Sequence, residues 1–170
     1  MRVLVTGGCG FVGSAVVRLA VERGDHVLNL DRRKKNAPVP ALGPAAQREG
    51  YARLEADVTD RAMIKAILRE FSPDAVIHLA ACGDDDPNAL VDAEIGGAFA
   101  VIEAARQYYE RLQGETRERF RIVHLERAEG DIPEKLTRAQ AARGAAAVLL
   151  DRWARANDRP LGTCVAGGAF

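Results

Sequence analysis

At 170 residues, with 24 basic and 24 acidic side chains that cancel, the chain is the size of one domain with a proper core, and it lacks the surplus positive charge of a general nucleic-acid or membrane-surface binder. Hydrophobic residues make up 48% and aromatics only 5%, so Val, Leu, Ile and Ala must build the core, a mixture suited to helices packed on a parallel sheet. No apolar run approaches the roughly 20 residues that span a bilayer. Met1 leads directly into the strand-like Arg2–Val5 without the apolar stretch of a signal peptide, so a cytoplasmic location is expected.

Arg2–Thr6 reads as a first strand, running into Gly7-Gly8-Cys9-Gly10-Phe11-Val12-Gly13. Ser14–Arg23 follows as a helix with Ala15, Val16 and Leu19 on its apolar stripe and Gly24 as its stop. His26–Leu30 is a second strand ending at Asp31; the basic Arg32-Arg33-Lys34-Lys35 and a Pro/Ala/Gly-rich loop to Gly50 come next. Tyr51–Ala56 makes a third strand, followed by Asp57. Asp60 caps a helix that turns Met63, Ile64, Ile67 and Leu68 inward and ends before Ser72-Pro73. Ala75–Ala81 is an almost wholly apolar strand, as a sheet covered on both faces requires. Asn88–Leu112 is a long Ala-rich helix that tolerates Gly96 and Gly97, Phe120–Leu125 a fifth strand, Pro133–Asn157 a second long helix and Leu161–Ala166 a sixth strand. This alternation predicts an α/β fold, a Rossmann-type doubly wound parallel sheet with right-handed crossovers, as a single domain over 1–170.

The glycine-rich segment stands where a strand turns into a helix. Glycine there lets the chain turn sharply, brings the backbone close to a pyrophosphate and packs the helix tightly on the sheet. The helix N-terminus adds free N–H groups and a partial positive charge. Gly7, Gly10, Phe11, Val12 and Gly13 are therefore candidates to hold a dinucleotide. Asp31, ending the next strand, would accept hydrogen bonds from the adenosine ribose and repel a 2′-phosphate, which puts NAD ahead of NADP. Arg32 opens a basic run that is either a solvated loop or a holder for that phosphate.

Cys9, Cys82 and Cys164 show no CxxC spacing, so neither zinc nor a disulfide framework is expected. They read best as small buried fillers, although Cys9 and Cys82 could line the nucleotide cleft. Asp84-Asp85-Asp86 could bind Mg²⁺, but the role favoured is the N-terminal charge of the long helix beside Pro87. No metal site is assigned.

The stretches RVLVTGGCGFVGSAVVRLAVERGDHVLNLD and LEADVTDRAMIKAILREFSPDAVIHLAA, with EAAR in the long helix, resemble the extended short-chain dehydrogenase/reductases, in particular the nucleotide-sugar 4,6-dehydratases and epimerases. The resemblance implies that Asp57 and Val58 hold the adenine ring and that Leu79, Ala80 and Ala81 lie along the cofactor. It also implies that His78 and His124 are structural strand histidines. In such proteins the helices matching 88–112 and 133–157 pair across a two-fold axis. That allows a homodimer, or a dimer with an intact relative, with Ala98, Ala105, Ala141, Ala145 and Ala146 permitting close approach. The same alanines suit ordinary helix-on-sheet packing.

The chemistry of that family is not matched. A Ser/Thr-rich segment should follow the fifth strand, yet its hydroxyl position falls on Arg127 and its acid position on Ala128, and only Glu129 agrees. The Tyr-x-x-x-Lys pair falls on Ala139 and Arg143. The tyrosine serves as general base and the lysine lowers its pKa; alanine does neither, and arginine has no phenol to activate. No tyrosine follows Tyr109, and the only later lysine is Lys135. Glu94-Ile95-Gly96-Gly97 replaces an Asn-containing turn, and the C-terminal region that binds the nucleoside diphosphate of the sugar is expected to be absent.

Three readings follow. The first is an NAD-binding protein that has lost standard oxidoreductase catalysis, a pseudoenzyme acting as redox sensor or partner. The second is an active nucleotide-sugar dehydratase, epimerase or lyase using Glu129, Arg127, Arg143 or Cys82. The third is a scaffold that no longer binds nucleotide, against which the glycine loop and Asp31 count.

Overall fold

The computed structural model describes residues 1–33, 38–81, 86–128, 138–157 and 161–167. Among these residues six strands, β1 (Arg2–Thr6), β2 (His26–Asp31), β3 (Tyr51–Glu55), β4 (Ala75–His78), β5 (Arg121–Ala128) and β6 (Leu161–Gly167), form one sheet in the order β3-β2-β1-β4-β5-β6. Every pairing is parallel. The order reverses between β1 and β4, which places a crevice at the C-terminal ends of these two strands. This is the predicted Rossmann-type doubly wound architecture.

Alternation along each strand sends one set of side chains to each face. Val3, Val5 and Val27 pack on one face under α1 (Phe11–Glu22) and two short 3-10 turns in Pro40–Gln47, whose Leu42 and Ala45 are buried. Leu4, Leu30, Val76 and Ile122 pack on the other under α2 (Arg61–Phe71), α4 (Ala98–Arg111) and α6 (Arg138–Asn157). The predicted loop before Gly50 thus contains ordered turns that its Pro/Ala/Gly composition concealed.

The predicted stripe of α1 is corrected. The helix begins at Phe11 rather than Ser14, and Gly13, Ser14, Val17, Ala20 and Val21 are buried while Leu19 is 67% exposed. Gly13 sets this register: a Cβ there would stand 2.2 Å from the Gly7 carbonyl oxygen, so Gly13 must face the loop and its neighbours one and two turns on face the core. Gly24, at φ 85°, ends the helix as predicted.

In α2 the Asp60 carboxylate accepts from the Met63 N–H at 3.0 Å, giving the predicted cap. Ile64, Ile67 and Leu68 are buried, but Met63 is 38% exposed, a second correction; it lies in the capped first turn, at the edge of the core. Ser72 closes the helix in the left-handed region before Pro73.

The long predicted helix is α3 (Pro87–Leu90), a π-helical stretch (Val91–Gly97) and α4 in continuous succession. Asp86 caps it, its carboxylate accepting from the Ala89 N–H at 3.0 Å; Cys82, Asp84 and Asp85 lie outside the described residues. The wide turn lets Gly97 press on Val58, whose Cγ2 would be 2.7 Å from a Cβ at that position. A short α5 (Gly114–Arg119), carrying a Glu115–Arg119 ion pair one turn apart, was not anticipated from its polar sequence. Ala98, Ala105 and Ala146 are buried in this chain's own core, so they serve helix-on-sheet packing, whereas Ala141 and Ala145 are exposed.

Candidate functional site

The site grows from β1. After Thr6 the chain enters the left-handed region at Gly7 (φ 73°), where a Cβ would stand 2.6 Å from the Ala80 backbone; the loop therefore lies directly on the end of β4. Gly8 and Gly13 are constrained in the same way, by Asn29 at 2.3 Å and by the Gly7 carbonyl oxygen at 2.2 Å. Gly10 differs. It is exposed, with ordinary extended φ −76° and ψ 176°, and a Cβ there would meet only the Gly7 carbonyl oxygen, at 3.3 Å. Three glycines thus serve internal packing, while the fourth keeps the space in front of α1 open. Gly10 offers α1 no side-chain cap and the first turn carries no acidic residue, so the positive end of the helix faces that space. This arrangement fits a pyrophosphate.

Asp31 ends β2 beside the loop, held by two backbone donors: the Cys9 N–H donates to Oδ2 at 2.9 Å and the Arg33 N–H to Oδ1 at 3.0 Å. Its half-buried carboxylate is thereby oriented before any ligand arrives. Arg32 is exposed and its charge reaches Asp57. Partial burial opposes ionisation of Asp57, but the Thr59 N–H and hydroxyl, donating at 2.9 and 2.8 Å, and Arg32 outweigh it and hold the carboxyl below its ordinary range. Val58 is buried beneath Gly97. Phe11 is 81% exposed and Val12 half-buried at the start of α1.

Leu79, Ala80 and Ala81 leave the ladder after His78, so the predicted strand is shorter than expected. Thr6 still meets the chain there, its carbonyl oxygen accepting from the Leu79 N–H at 3.0 Å. Its Oγ1 accepts from the Leu79 and Ala80 N–H groups, both at 3.3 Å, and lies 2.6 Å from His78 Nδ1. The hydroxyl and Nδ1 share one hydrogen bond, with donor and acceptor set by the imidazole tautomer. His78 and His124 stack at 5.2 Å within the helix-covered face, and neither His78 Nε2 nor His124 Nδ1 has a partner among the described residues. Burial, assisted by His124, pushes His78 down to about 3; burial pushes His124 down to about 4. Both rings are neutral at physiological pH.

Glycine loop, Asp31, Asp57 and the end of β4 thus gather at one edge of the sheet. Arg127 lies on β5 and Arg143 on α6, but their side chains, like that of Cys164 on β6, are outside what is described, as is Glu129 altogether. The sequence reading missed Asn29 and Thr6 as site residues, and it missed that Tyr51 and Arg53 pack beside Asn29 and Cys9. Asn29 donates to the Tyr51 hydroxyl at 3.0 Å and to Cys9 Sγ at 3.5 Å, and Arg53 approaches the same sulfur at 3.6 Å. An amide inside the apolar run of β2 was the available signal. Burial, with Asp31 adding to it, pushes the Cys9 thiol up against the opposing pull of Arg53 and Asn29. Cys9 is buried and protonated, in keeping with a filler.

Comparison with known proteins agrees with this fold. Residues 3–139 match the model of the NAD dependent epimerase/dehydratase family. The chain is 38% identical over 141 residues to a dTDP-glucose 4,6-dehydratase of Shigella flexneri, covering 78% of this chain and 39% of that protein. A probable dTDP-glucose 4,6-dehydratase of Sinorhizobium fredii is 38% identical over 133 residues, 74% of this chain and 37% of the relative. The chain therefore spans less than half the length of the curated relatives it matches. The structure of dTDP-glucose 4,6-dehydratase from Bacillus anthracis in complex with NAD superposes with a TM-score of 0.77 at 14% identity, over 97% of this chain and 54% of the other. UDP-glucose 4-epimerase from Thermotoga maritima, solved with UDP-glucose, gives 0.74 at 22% identity over 97% and 54%. With the fold, the glycine loop and a family match over most of its length in agreement, this chain belongs to the NAD dependent epimerase/dehydratase family.

Proposed function

We propose that the chain is a cytoplasmic NAD-binding protein that has lost the standard oxidoreductase chemistry of its family and acts as a redox-state sensor or as the partner of an intact relative. One observation carries the binding half: Gly10 alone among the loop glycines is not demanded by the protein's own packing, and it fronts an uncapped helix N-terminus. The main-chain N–H groups of Gly10 to Gly13 would hold the pyrophosphate, with Gly7 keeping the loop on Ala80. Asp31 would take the adenosine ribose and turn away a 2′-phosphate. Asp57 and Val58 would flank the adenine, and Leu79, Ala80 and Ala81 would line the way to the nicotinamide, which when bound supplies hydride acceptance.

The catalytic half rests on what stands at the chemical positions. The phenol and ammonium are replaced by Ala139 and Arg143, with no other tyrosine beyond Tyr109. Without that phenol, no residue matched to the family pattern removes a sugar hydroxyl proton. The relatives' names favour a second reading, an active dTDP-glucose dehydratase or a related nucleotide-sugar lyase or epimerase working through Arg127, Glu129 or Arg143. Prolonged incubation with NAD and dTDP-glucose, followed by chromatography, separates the two. Unchanged sugar nucleotide is expected, and a 4-keto or epimerised product would establish the second reading.

A dimer through the helical run of 88–112 and through α6 belongs to the same proposal. Val91, Val148 and Leu149 are 52%, 57% and 41% exposed, and a second copy or an intact relative would cover them.

A further inference from the structure

Asn29 occupies a position that strand physics reserves for an apolar side chain. It lies in the middle of β2, in register with Val5 on one side and Arg53 on the other, and it is 0% exposed. Its neighbours along the same face, Val27 and Asp31, show the pattern: Val27 belongs to the core, and Asp31 reaches the site. A buried amide in a parallel sheet is costly unless its hydrogen bonds are made.

They are made, two to the glycine loop and one to Tyr51. Oδ1 accepts from the Gly8 N–H at 2.9 Å. Nδ2 donates to Cys9 Sγ at 3.5 Å and to the Tyr51 hydroxyl at 3.0 Å. Two consecutive loop residues are therefore tied to the floor of the sheet, and Cys9 in turn donates its N–H to Asp31 Oδ2. A Cβ on Gly8 would stand 2.3 Å from Asn29 Oδ1, so loop and amide are fitted to each other. The loop has no side chain of its own with which to hold its shape between Gly7 and Gly10 except the Cys9 thiol.

We propose that Asn29 is a positioning residue for dinucleotide binding. From beneath the glycine loop it fixes Gly8 and Cys9, and through the Cys9 N–H it fixes the Asp31 carboxylate. The inference rests on the reading of this site as an NAD site. Tyr51 steadies the amide from β3 and is secondary, because the contact to Gly8 uses the other end of the Asn29 side chain.

The test compares wild type, Asn29→Leu and Tyr51→Phe in three measurements: NAD and ADP-ribose affinity by calorimetry, hydrogen exchange at the Gly8 amide, and thermal unfolding. Leucine has a similar volume and makes none of the bonds. Asn29→Leu is expected to weaken NAD and ADP-ribose at least tenfold and by the same factor, since the clamp acts on the shared adenosine and pyrophosphate half. Exchange at Gly8 should be faster by at least tenfold while distant core amides stay protected. Tyr51→Phe should keep affinity within about threefold and leave Gly8 protected. Affinity within twofold of wild type in Asn29→Leu would overturn the proposal, as would equal losses in both variants that merely follow their melting temperatures. If wild type binds neither ligand, the cofactor reading falls with its positioning residue, and unchanged Gly8 exchange in Asn29→Leu would show that no clamp exists either.

Discussion

Two alanine substitutions three residues apart, one at the N-cap of α1 and one within its first turn, should fail in opposite ways. At Gly13 the new Cβ would stand 2.2 Å from the Gly7 carbonyl oxygen and 2.8 Å from the Gly8 Cα. Both are backbone atoms, so α1 or the loop must shift by about 1 Å to restore ordinary contact. Overpacking of this kind costs about 1–3 kcal/mol, and the better helix propensity of alanine offsets up to about 1 kcal/mol. A net loss of about 1–2 kcal/mol lowers the melting temperature by about 2–8 °C in a chain of this size. At Gly10 the new Cβ meets only the Gly7 carbonyl oxygen at 3.3 Å, in a conformation that alanine adopts freely. The fold should then lose about 0.5 kcal/mol, the helix-start preference for glycine over alanine. Its methyl, however, stands where the pyrophosphate would approach, and NAD affinity should fall tenfold or more, or about 1.4 kcal/mol. Melting curves with and without NAD separate the two. Saturation at about 100 times the dissociation constant stabilises wild type by about 2.7 kcal/mol; a tenfold loss removes about half of that shift in Gly10→Ala, and Gly10→Glu should show none of it. A Gly10→Ala protein as unstable as Gly13→Ala, or one with the wild-type NAD shift, would refute the division of labour among the glycines.

Asp31→Ala should weaken NAD and narrow the gap to NADP; an unaltered preference by calorimetry would assign selectivity to the basic run opened by Arg32. His78 and His124, held down to about 3 and 4 in the folded chain, titrate near 6.5 when unfolded. Because the unfolded chain takes up protons first, their contribution is complete above pH 6.5 and is lost as pH falls towards 4. Between pH 6 and 5 the loss is about 2 kcal/mol, roughly halved in His124→Phe; chemical denaturation with no change in stability across that interval would contradict the burial of neutral rings. Sedimentation should show a dimer in wild type and a monomer in Val148→Asp/Leu149→Asp, whereas a wild-type monomer would remove the helical interface from the proposal.

The parts of the molecule legible in the sequence are those governed by local rules. The six strands and their parallel alternation with helices followed from apolar runs separated by helical stretches, and the caps at Asp60 and Asp86 followed from polar residues placed before helical starts. The stripe of α1 did not, because Gly13, a residue with no side chain, sets its register through a contact with Gly7. Asn29 was passed over for a related reason: an amide within HVLNLD looks like an interruption until the loop above it is in place. Thr6 likewise gained its role only when β4 came alongside, allowing one hydroxyl to organise Leu79, Ala80 and His78. Periodicity reports which face a residue shares, and it is silent about partners brought from elsewhere in the chain.

The central claim, a dinucleotide site selective for NAD, is tested most directly by calorimetric titration of the purified chain with NAD and with NADP. One NAD per chain, bound at least tenfold more tightly than NADP, is the predicted result. Binding of neither dinucleotide would contradict the account.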